Sequence, residues 1–326
     1  MKKGFIYIAI ATLMFSTMEI ALKFICDIYN PIQLNFIRFF IGGMVLLPFA
    51  IRKLKTKKIT LSPRDLIPFI GIGFIGISVS MTLYQFSVIY AEASVVAIIF
   101  SSNPLFVMIL AYFILGESIH RRNVFALIFD LLGIFFIIAP WRTSINITGE
   151  ILIIISTVLF ALYGVIGKKY SDKYNGVVTT CFSSLFGSAI LMVMSALTHI
   201  PAIGDALASA GLSSFAYIPF VSGFSWSTLP YLLYVGICVT GIGYATYFMA
   251  MEKTSANTAS LVFFFKPVLA PILAYFFLQE IPTFNRYIGL GFILLGSLIN
   301  IIPPLLHSHG SKKEPAPDAG IKETDR

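Results

Sequence analysis

The stretch NPLFVMILAYFILGE at residues 103–117 recurs as KPVLAPILAYFFLQE at residues 266–280, at a constant offset of 163. Both copies are apolar up to a closing glutamate, and the correspondence continues to Pro140 and Pro303. Agreement of this kind between two distant segments indicates an internal repeat, which has to be recognised before a fold is assigned. We therefore predict that the chain consists of two related halves.

The composition is that of a membrane protein. The chain is 57% hydrophobic and only 12% charged, and its mean hydropathy is +0.88. A soluble domain carries about 25% charged residues. Basic residues outnumber acidic ones by 23 to 15 and lie in short loops between apolar runs, which predicts contact with a membrane surface and not with nucleic acid. Three cysteines provide no disulfide framework.

A helix that crosses a bilayer needs about 20 largely apolar residues. Ten segments meet this requirement, at roughly 4–24, 32–51, 66–88, 94–115, 124–141, 149–168, 177–198, 229–251, 258–278 and 285–303. Most basic residues fall in the loops on the side that also holds the N-terminus, so the positive-inside rule predicts that both termini are cytoplasmic. We expect a multi-pass protein of a bacterial inner (plasma) membrane.

A second offset, of 145, places Gly4 on Gly149 and Lys23 on Lys168. The two offsets differ by 18 residues, which locates an insertion in the outside loop 199–228. Each repeat then holds five spans, and an odd number makes the second repeat enter the membrane with opposite polarity. The predicted fold class is an all-α membrane protein of ten helices in two inverted five-helix repeats. The predicted units are a first repeat at 1–141, a second, inverted repeat at 142–303 and a disordered cytoplasmic tail at 304–326.

Charged residues inside spans are the main functional signal. Placing Asp, Lys or Arg at the centre of a membrane helix costs about 2.5–3.5 kcal/mol of insertion free energy. Each such residue is therefore expected to have a counter-charge or a functional role. Lys266 is the deepest and directly precedes Pro267; its repeat equivalent, Asn103, precedes Pro104. Each proline removes a helical hydrogen bond. We predict that Pro104 and Pro267 break their helices beside a polar cavity lined by Lys266 and Asn103; the alternative is a structural ion pair or a packing kink.

The other embedded charges lie in spans 1, 2 and 5. Glu19 stands one helical turn before Lys23 and could pair with it, while burial would favour its protonated form and suit proton coupling. Arg38 either binds a substrate carboxylate or pairs with Glu19. Asp130 is expected to act in a proton relay or in a structural pair.

Two further groups of polar residues occupy repeat-related positions. Tyr84 and Tyr247 are equivalent at the offset of 163, and together with Gln85 they line the predicted cavity or serve aromatic packing. Glu117 and Glu280 end spans 4 and 9, and their symmetry predicts an architectural role in closing helix ends. The sequence shows no metal-ligand spacing and no nucleophile–base pair. Its G-x-G-x-x-G match at Gly71–Gly76 lies inside a span with no preceding strand, which argues against a dinucleotide site. We therefore predict that the protein is not an enzyme and holds neither metal nor cofactor.

The chain resembles the EamA-type carriers of the drug/metabolite transporter superfamily over nearly all of residues 4–303. The residues that carry the resemblance are the run 15–23, Asn30-Pro31, Arg38, Gly42, Ala93-Ser94, Asn103-Pro104, the run 111–117, Gly133, Pro267 and Glu280. The resemblance implies a ten-helix inverted-repeat fold and movement of small metabolites, often export of amino acids or drugs. Phe15 stands where the first span usually carries Trp.

The sequence therefore predicts a secondary transporter, with export as the direction, of small metabolites such as amino acids by alternating access. A slight positive excess among the embedded charges favours a ligand with a carboxylate. Alternatives are a proton-coupled multidrug carrier that binds hydrophobic cations at Glu19, and a non-transporting membrane receptor or assembly subunit. The expected partners are a small-molecule substrate, a proton and the lipid bilayer. A monomer is sufficient, and a homodimer is compatible with the fold.

Overall fold

The computed structural model describes residues 2–119, 121–138, 147–263, 266–281 and 283–310. Within these ranges the secondary structure is helical and contains no β-strand. The helices are α1 (Lys2–Ser16), α2 (Met18–Lys23), α3 (Pro31–Thr56), α4 (Pro63–Gly73), α5 (Met81–Tyr90), α6 (Ala93–Phe100), α7 (Asn103–Leu115), α8 (Arg121–Ile138), α9 (Thr148–Tyr174), α10 (Gly176–Leu197), α11 (Pro201–Ser209), α12 (Leu229–Leu233), α13 (Tyr244–Lys253), α14 (Ala256–Ala259), α15 (Lys266–Leu278) and α16 (Phe284–Gly310).

Seven stretches are long and apolar enough to cross a membrane. They are Lys3–Lys23, Pro31–Thr56, Pro63–Tyr90, Ala93–Leu115, Thr148–Tyr174, Gly176–Leu197 and Leu229–Lys253, and each coincides with a predicted span. Helices α8 and α15 hold shorter apolar stretches. The helical, multi-pass architecture is thus confirmed, whereas the ten-span count and the side of the termini remain predictions. Helix α16 continues to Gly310, past the predicted end of the last span, and residues 311–326 of the predicted tail lie outside the described part.

The starts of α3 and α10 show how related sequences build related elements. Asn30 precedes α3, and its side-chain oxygen accepts hydrogen bonds from the backbone N–H groups of Ile32 and Gln33. Asn175 precedes α10 and accepts from the N–H of Val177 in the same way. These two asparagines are equivalent at the offset of 145, and capping of this type satisfies N–H groups that have no partner within the helix.

Several membrane stretches are interrupted near their middles. The first is broken at Thr17, between α1 and α2, and the fourth at Ser101–Ser102, between α6 and α7. In the ninth predicted span, α14 passes into a 3₁₀ turn at Ser260–Phe263, and the described helix α15 begins at Lys266. Pro104 lies in the first turn of α7, where its missing N–H would have no helical partner anyway. Pro267 is the second residue of α15. Interrupted helices of this kind bring polar backbone ends to the middle of a transporter.

Two wide helical turns of the π type occur at equivalent places. They cover Phe74–Ser80, between α4 and α5, and Tyr234–Gly243, between α12 and α13. The offset of 163 maps 74–80 onto 237–243. Turns of this type are frequent at functional sites.

Glycines allow helices of different halves to cross in contact. A Cβ added at Gly42 in α3 would lie 2.9 Å from the carbonyl oxygen of Gly236, and one added at Gly187 in α10 would lie 2.7 Å from that of Gly73. Gly187 and Gly73 are the repeat equivalents of Gly42 and Gly236. The same small-residue crossing is therefore built twice, each time between one helix of each half.

The predicted insertion 199–228 contains α11 and packs on the start of α3. The side chain of Asn30 donates to the carbonyl of Ser214 at 2.9 Å, and that of Gln33 donates to the carbonyl of Ser222 at 2.8 Å. This segment covers the end of the bundle at which α2 finishes and α3 begins.

Candidate functional site

A buried ion pair lies where α2 and α15 meet. The Glu19 carboxylate forms an ion pair with the Lys266 ammonium and accepts a hydrogen bond from the Tyr84 hydroxyl. All three side chains are fully buried. Glu19 is thus paired across the two halves with Lys266, instead of with Lys23 or Arg38, the partners that the sequence suggested. Its second oxygen, Oε2, has no hydrogen-bond partner among the described atoms.

Aromatic rings surround the lysine head group. The Nζ of Lys266 lies 4.6 Å from the ring centroid of Phe100, 5.8 Å from that of Tyr84 and 6.0 Å from that of Phe263. Aromatic faces attract cations at such distances. Phe100 ends α6 and Phe263 ends the 3₁₀ turn before α15, and the two are repeat equivalents. The helix breaks of both halves therefore supply the walls around the cation.

Further aromatic rings pack against the walls of the ion pair. Phe160 packs against Phe100 with ring centroids 5.1 Å apart, and Phe15 stacks on Phe263 at 5.8 Å. Phe15 and Phe160 are equivalent at the offset of 145. Tyr247, the equivalent of Tyr84, packs against Phe160 at 5.8 Å. The cluster is consequently pseudo-symmetric, and apolar groups of a ligand would meet rings from both halves.

Arg38 is fully buried beside the ion pair. Its Nε and Nη2 donate to the Asn35 side-chain oxygen at 3.2 and 3.1 Å, and its Nη1 lies 3.7 Å from the sulfur of Met18, the residue before Glu19. The guanidinium carbon lies 4.8 Å from the centroid of the Phe39 ring. No carboxylate that the structure describes is within ion-pair distance of Arg38. Because a buried charge without a counter-charge is costly, this guanidinium is suited to an anionic ligand group.

Three other predicted residues are also buried and short of partners. Asn103 donates to the carbonyl of Thr157 at 3.3 Å, but its side-chain oxygen has no partner among the described atoms. The same holds for both amide atoms of Gln85 and for the Tyr247 hydroxyl. An unsatisfied buried polar group costs about 1–3 kcal/mol. Groups of this kind are available to hydrogen bond a ligand, although unsatisfied side chains also occur elsewhere in the bundle, at Ser171 and Thr240 for example. The side chain of Asp130, in α8, lies outside the described residues.

The charges break the symmetry of the surrounding frame. At the repeat equivalents of Glu19, Arg38 and Lys266 the chain carries Gly164, Ser183 and Asn103, none of them charged. Each equivalent position, Gly164 and Ser183 in the second half and Asn103 in the first, is packed without a charge, so the architecture does not require these charges. This favours a functional role for the charged group.

The two ends of the bundle are closed by matched contacts. At the end where α2 finishes, here called the Lys23 end, Lys23 Nζ donates to the carbonyl of Val88 at 2.7 Å. There the Glu280 carboxylate also accepts from the N–H groups of Ala93 and Ser94, which start α6, at 2.8 and 2.9 Å. A carboxylate at a helix N-terminus is stabilised by the helix dipole and by the free N–H groups. We call these contacts the Lys23-end latch.

At the opposite end of the bundle, here called the Lys168 end, the repeat-equivalent residues form the same kinds of hydrogen bond. Lys168 Nζ donates to the carbonyl of Met251 at 3.2 Å. The Glu117 carboxylate accepts from the N–H groups of Ala256 and Asn257, which start α14, at 3.1 and 3.4 Å. Each residue of this Lys168-end latch is the repeat equivalent of one at the Lys23 end. The predicted role of Glu117 and Glu280 in closing helix ends is confirmed.

With both latches formed, Glu19, Arg38 and Lys266 are fully buried. The Lys23 end carries an additional ion pair, Arg286 with Glu92. The equivalents of those two residues, Asn123 and Ser255, are uncharged.

An apolar groove of about 350 Å³ lies at the Lys23 half of the molecule, between α2, α12 and α15. Its lining includes Thr17, Ile20, Tyr234 and Leu273, and the hydroxyls of Thr17 and Tyr234 hydrogen bond at 2.5 Å across it. The groove follows the two helices that carry Glu19 and Lys266.

A model of the EamA-like transporter family matches residues 2–139 and 147–302, both halves of the chain. The chain belongs to the EamA-like transporter family. A Clostridium kluyveri protein described as an uncharacterized transporter is 35% identical over 308 residues, covering 92% of this chain and 93% of the relative. A Rickettsia bellii protein described as an S-adenosylmethionine uptake transporter is 25% identical over 291 residues, covering 88% of this chain and 89% of the relative.

A solved crystal structure at 18% identity shares the fold with a TM-score of 0.66, covering 92% of this chain and 98% of that one. As a member of this transporter family, the protein is not an enzyme. It is a multi-pass membrane protein with a small-molecule substrate, and its bacterial relatives place it in the plasma membrane.

The sequence analysis predicted Tyr84 beside the site but missed the other two aromatic walls. Phe100 and Phe263 occupy equivalent positions at the predicted helix breaks, so the repeat alignment carried a signal for them. Asn35 accepts hydrogen bonds from Arg38, but no sequence signal identified it, because an asparagine one turn from an arginine is common on any helix.

Proposed function

We propose that this EamA-like transporter moves small zwitterionic metabolites of the amino-acid type, by alternating access and in the direction of export. The proposal rests on two buried protein groups that lack partners and that the two charged groups of a zwitterion would satisfy. Arg38 has no described carboxylate partner, and Glu19 Oε2 has no described hydrogen-bond donor. A zwitterion supplies one group for each, a carboxylate for Arg38 and an ammonium for Glu19. The buried charges of Arg38 and Lys266 exceed that of Glu19 by one, which adds to the preference for a carboxylate.

The surroundings define what else the substrate carries. Rings of Phe15, Phe100, Phe160 and Phe263 offer an apolar lining for a side chain. The unsatisfied amide groups of Gln85 offer hydrogen bonds that would fix its orientation. S-adenosylmethionine, named for the Rickettsia relatives, is itself an α-amino acid with an added cationic centre, so it belongs to the same chemical class.

The matched latches supply the means of alternating access. We envisage that the Lys23-end latch opens while the Lys168-end latch holds, and the reverse, so that the site is exposed to one side at a time. Because the latch contacts are equivalent, the two open states would differ mainly in the Arg286–Glu92 ion pair, which contributes at most about 1 kcal/mol. A transporter with comparable open states can cycle without a large energetic bias.

The test is counterflow in proteoliposomes. Vesicles loaded with unlabelled amino acids, S-adenosylmethionine, organic acids or quaternary amines receive a trace of labelled solute, and wild type is compared with Arg38→Gln and with Arg38→Lys. We expect exchange of zwitterions, its loss in Arg38→Gln and weak exchange in Arg38→Lys, because an ammonium does not reproduce the bidentate guanidinium. Exchange restricted to quaternary amines would overturn the proposal in favour of a hydrophobic-cation carrier.

Direction is measured separately. Inside-out and right-side-out membrane vesicles are given the exchanged substrate under an imposed gradient and a membrane potential. Concentrative flow from the cytoplasmic side is expected, and concentrative flow only towards that side would replace export with uptake.

A further inference from the structure

We infer that the Lys266 ammonium is a built-in stand-in for the cationic group of the ligand. On binding, an ammonium or sulfonium group takes the place of Lys266 at Glu19, and Lys266 turns to the ligand's carboxylate. This inference rests on the proposed function for the identity of the transported solute. It adds a cation site, and a rule for which ligands that site accepts.

The first argument is the composition of the walls. Lys266 Nζ faces the Glu19 carboxylate together with the rings of Phe100, Tyr84 and Phe263. A carboxylate and several aromatic faces around one point are what proteins use to hold onium groups. The site is therefore complete for a cation and is filled by the chain's own side chain.

The second argument is that the fold does not need this pair. Gly164 of the second half and Asn103 of the first occupy the equivalents of Glu19 and Lys266, and neither of these two positions carries a charge. Glu19 keeps one oxygen unsatisfied even while paired. An ion pair retained only for stability would be expected to satisfy its carboxylate fully.

Tethering explains which ligands succeed. An attached ammonium competes at an effective concentration in the millimolar range or above, so a free amine displaces it poorly. A simple amine would also leave Lys266 buried without a counter-charge, which is strongly unfavourable. A zwitterion avoids this cost because its carboxylate, placed between Arg38 and Lys266, serves both cations. The Glu19–Lys266 pair is then replaced by a pair of Glu19 with the ligand's cationic group, and Lys266 and Arg38 share the ligand's carboxylate.

It follows that no proton has to accompany the substrate. The Glu19 carboxylate has a cationic partner before binding, from Lys266, and after binding, from the ligand. The proton-coupling role predicted for Glu19 is thereby replaced by exchange of partners. Counterflow by wild type should be the same throughout the neutral pH range.

The experiment removes the Lys266 ammonium and supplies a free amine in its place. Lys266→Ala leaves a space beside an uncompensated Glu19, and methylammonium chloride is titrated into the purified protein in detergent. Melting is followed with a thiol-reactive dye that reports the buried Cys26 and Cys181. We expect methylammonium to raise the melting temperature of Lys266→Ala in a saturable manner, at least tenfold more potently than in wild type. The matched control is Lys266→Ala with Glu19→Gln, which keeps the space but removes the charge.

The interpretation does not depend on one variant folding. Lys266→Gly and Lys266→Ser leave similar space and are measured in parallel. Wild type is also given an exchanged amino acid, or methylammonium and acetate together at the same concentration. The zwitterion should stabilise wild type and the two fragments should not. Equal stabilisation of the Glu19→Gln control, or stabilisation of wild type by methylammonium alone, would overturn the inference.

Failure of the inference and failure of the proposed function give different results. Rescue of Lys266→Ala by methylammonium without zwitterion exchange by wild type would keep the cation site and remove the proposed substrate. Zwitterion exchange that persists in Lys266→Ala, without amine rescue, would keep the substrate and remove the stand-in.

Discussion

The latches predict different behaviour for two equivalent glutamates. Glu280→Gln removes the charge that accepts two backbone N–H groups at the Lys23 end, and Glu117→Gln removes its counterpart at the Lys168 end. A hydrogen bond to a charged group contributes about 1.5–3 kcal/mol, and a glutamine keeps one neutral acceptor. We therefore take the loss as about 2 kcal/mol, which increases the population of the corresponding open state about 30-fold at 1.4 kcal/mol per tenfold change.

A native cysteine reports on the Lys23 end. Cys26 follows α2, is buried, and its thiol donates to the carbonyl of Lys23 at 3.3 Å. In a background with Cys181→Ser and Cys238→Ser, the rate of its reaction with a membrane-impermeant maleimide measures opening at that end. Glu280→Gln should raise this rate about 30-fold, while Glu117→Gln should leave it unchanged or lower it.

The matched substitution makes the result decisive. Equal acceleration by Glu117→Gln and Glu280→Gln would mean that the carboxylates stabilise the whole bundle and not one end each. No acceleration by Glu280→Gln would mean that its contacts do not hold the Lys23 end closed. Labelling in intact cells also tests topology, because Cys26 reacts from outside only if the N-terminus is cytoplasmic.

Three further outcomes are expected. Glu19→Gln leaves Lys266 without a counter-charge and should cost about 3–5 kcal/mol, whereas Glu19→Gln combined with Lys266→Met should recover most of that loss in chemical or thermal unfolding. Gly73→Ala should lower the melting temperature markedly, because its Cβ would lie 2.5 Å from the carbonyl oxygen of Ser183; Gly71→Ala, which meets nothing within 4 Å, should not. Arg286→Gln removes a partly exposed ion pair worth at most about 1 kcal/mol, so Cys26 labelling should accelerate no more than about fivefold.

Much of this arrangement could be read from the sequence because it depends on local chemistry. Pro104 and Pro267 lack the N–H that would continue a preceding helix, which favours a break at each. The repeat alignment distinguishes these two prolines from others, such as Pro48, that lie inside helices. Burial of Glu19, Arg38 and Lys266 follows from their depth in apolar runs. The closing role of Glu117 and Glu280 follows from their equivalence at the ends of two related spans.

The partner of Glu19 could not be read in this way. Spacing along a helix reveals only neighbours one turn away, such as Lys23, whereas Lys266 lies 247 residues further along the chain, in the other half. The Lys23 ammonium instead donates hydrogen bonds to the backbone carbonyl groups of Val88 and Ala91. The π turns at Phe74–Ser80 and Tyr234–Gly243 were missed as well, because a π turn differs from an α-helix in backbone bonding and has no residue pattern of its own.

Under the proposed mechanism, the repeat explains the combination of matched latches with an asymmetric site. Alternating access would need each latch to open in turn against the other, and duplication of Lys23 and Glu280 as Lys168 and Glu117 gives the two latches the same chemistry. The proposed zwitterionic substrate has two different charged ends, so a site that orients it would itself be asymmetric. The uncharged equivalents of Glu19, Arg38 and Lys266 fit this requirement, since charges in both copies would offer two opposed orientations and leave one set unpaired in every state.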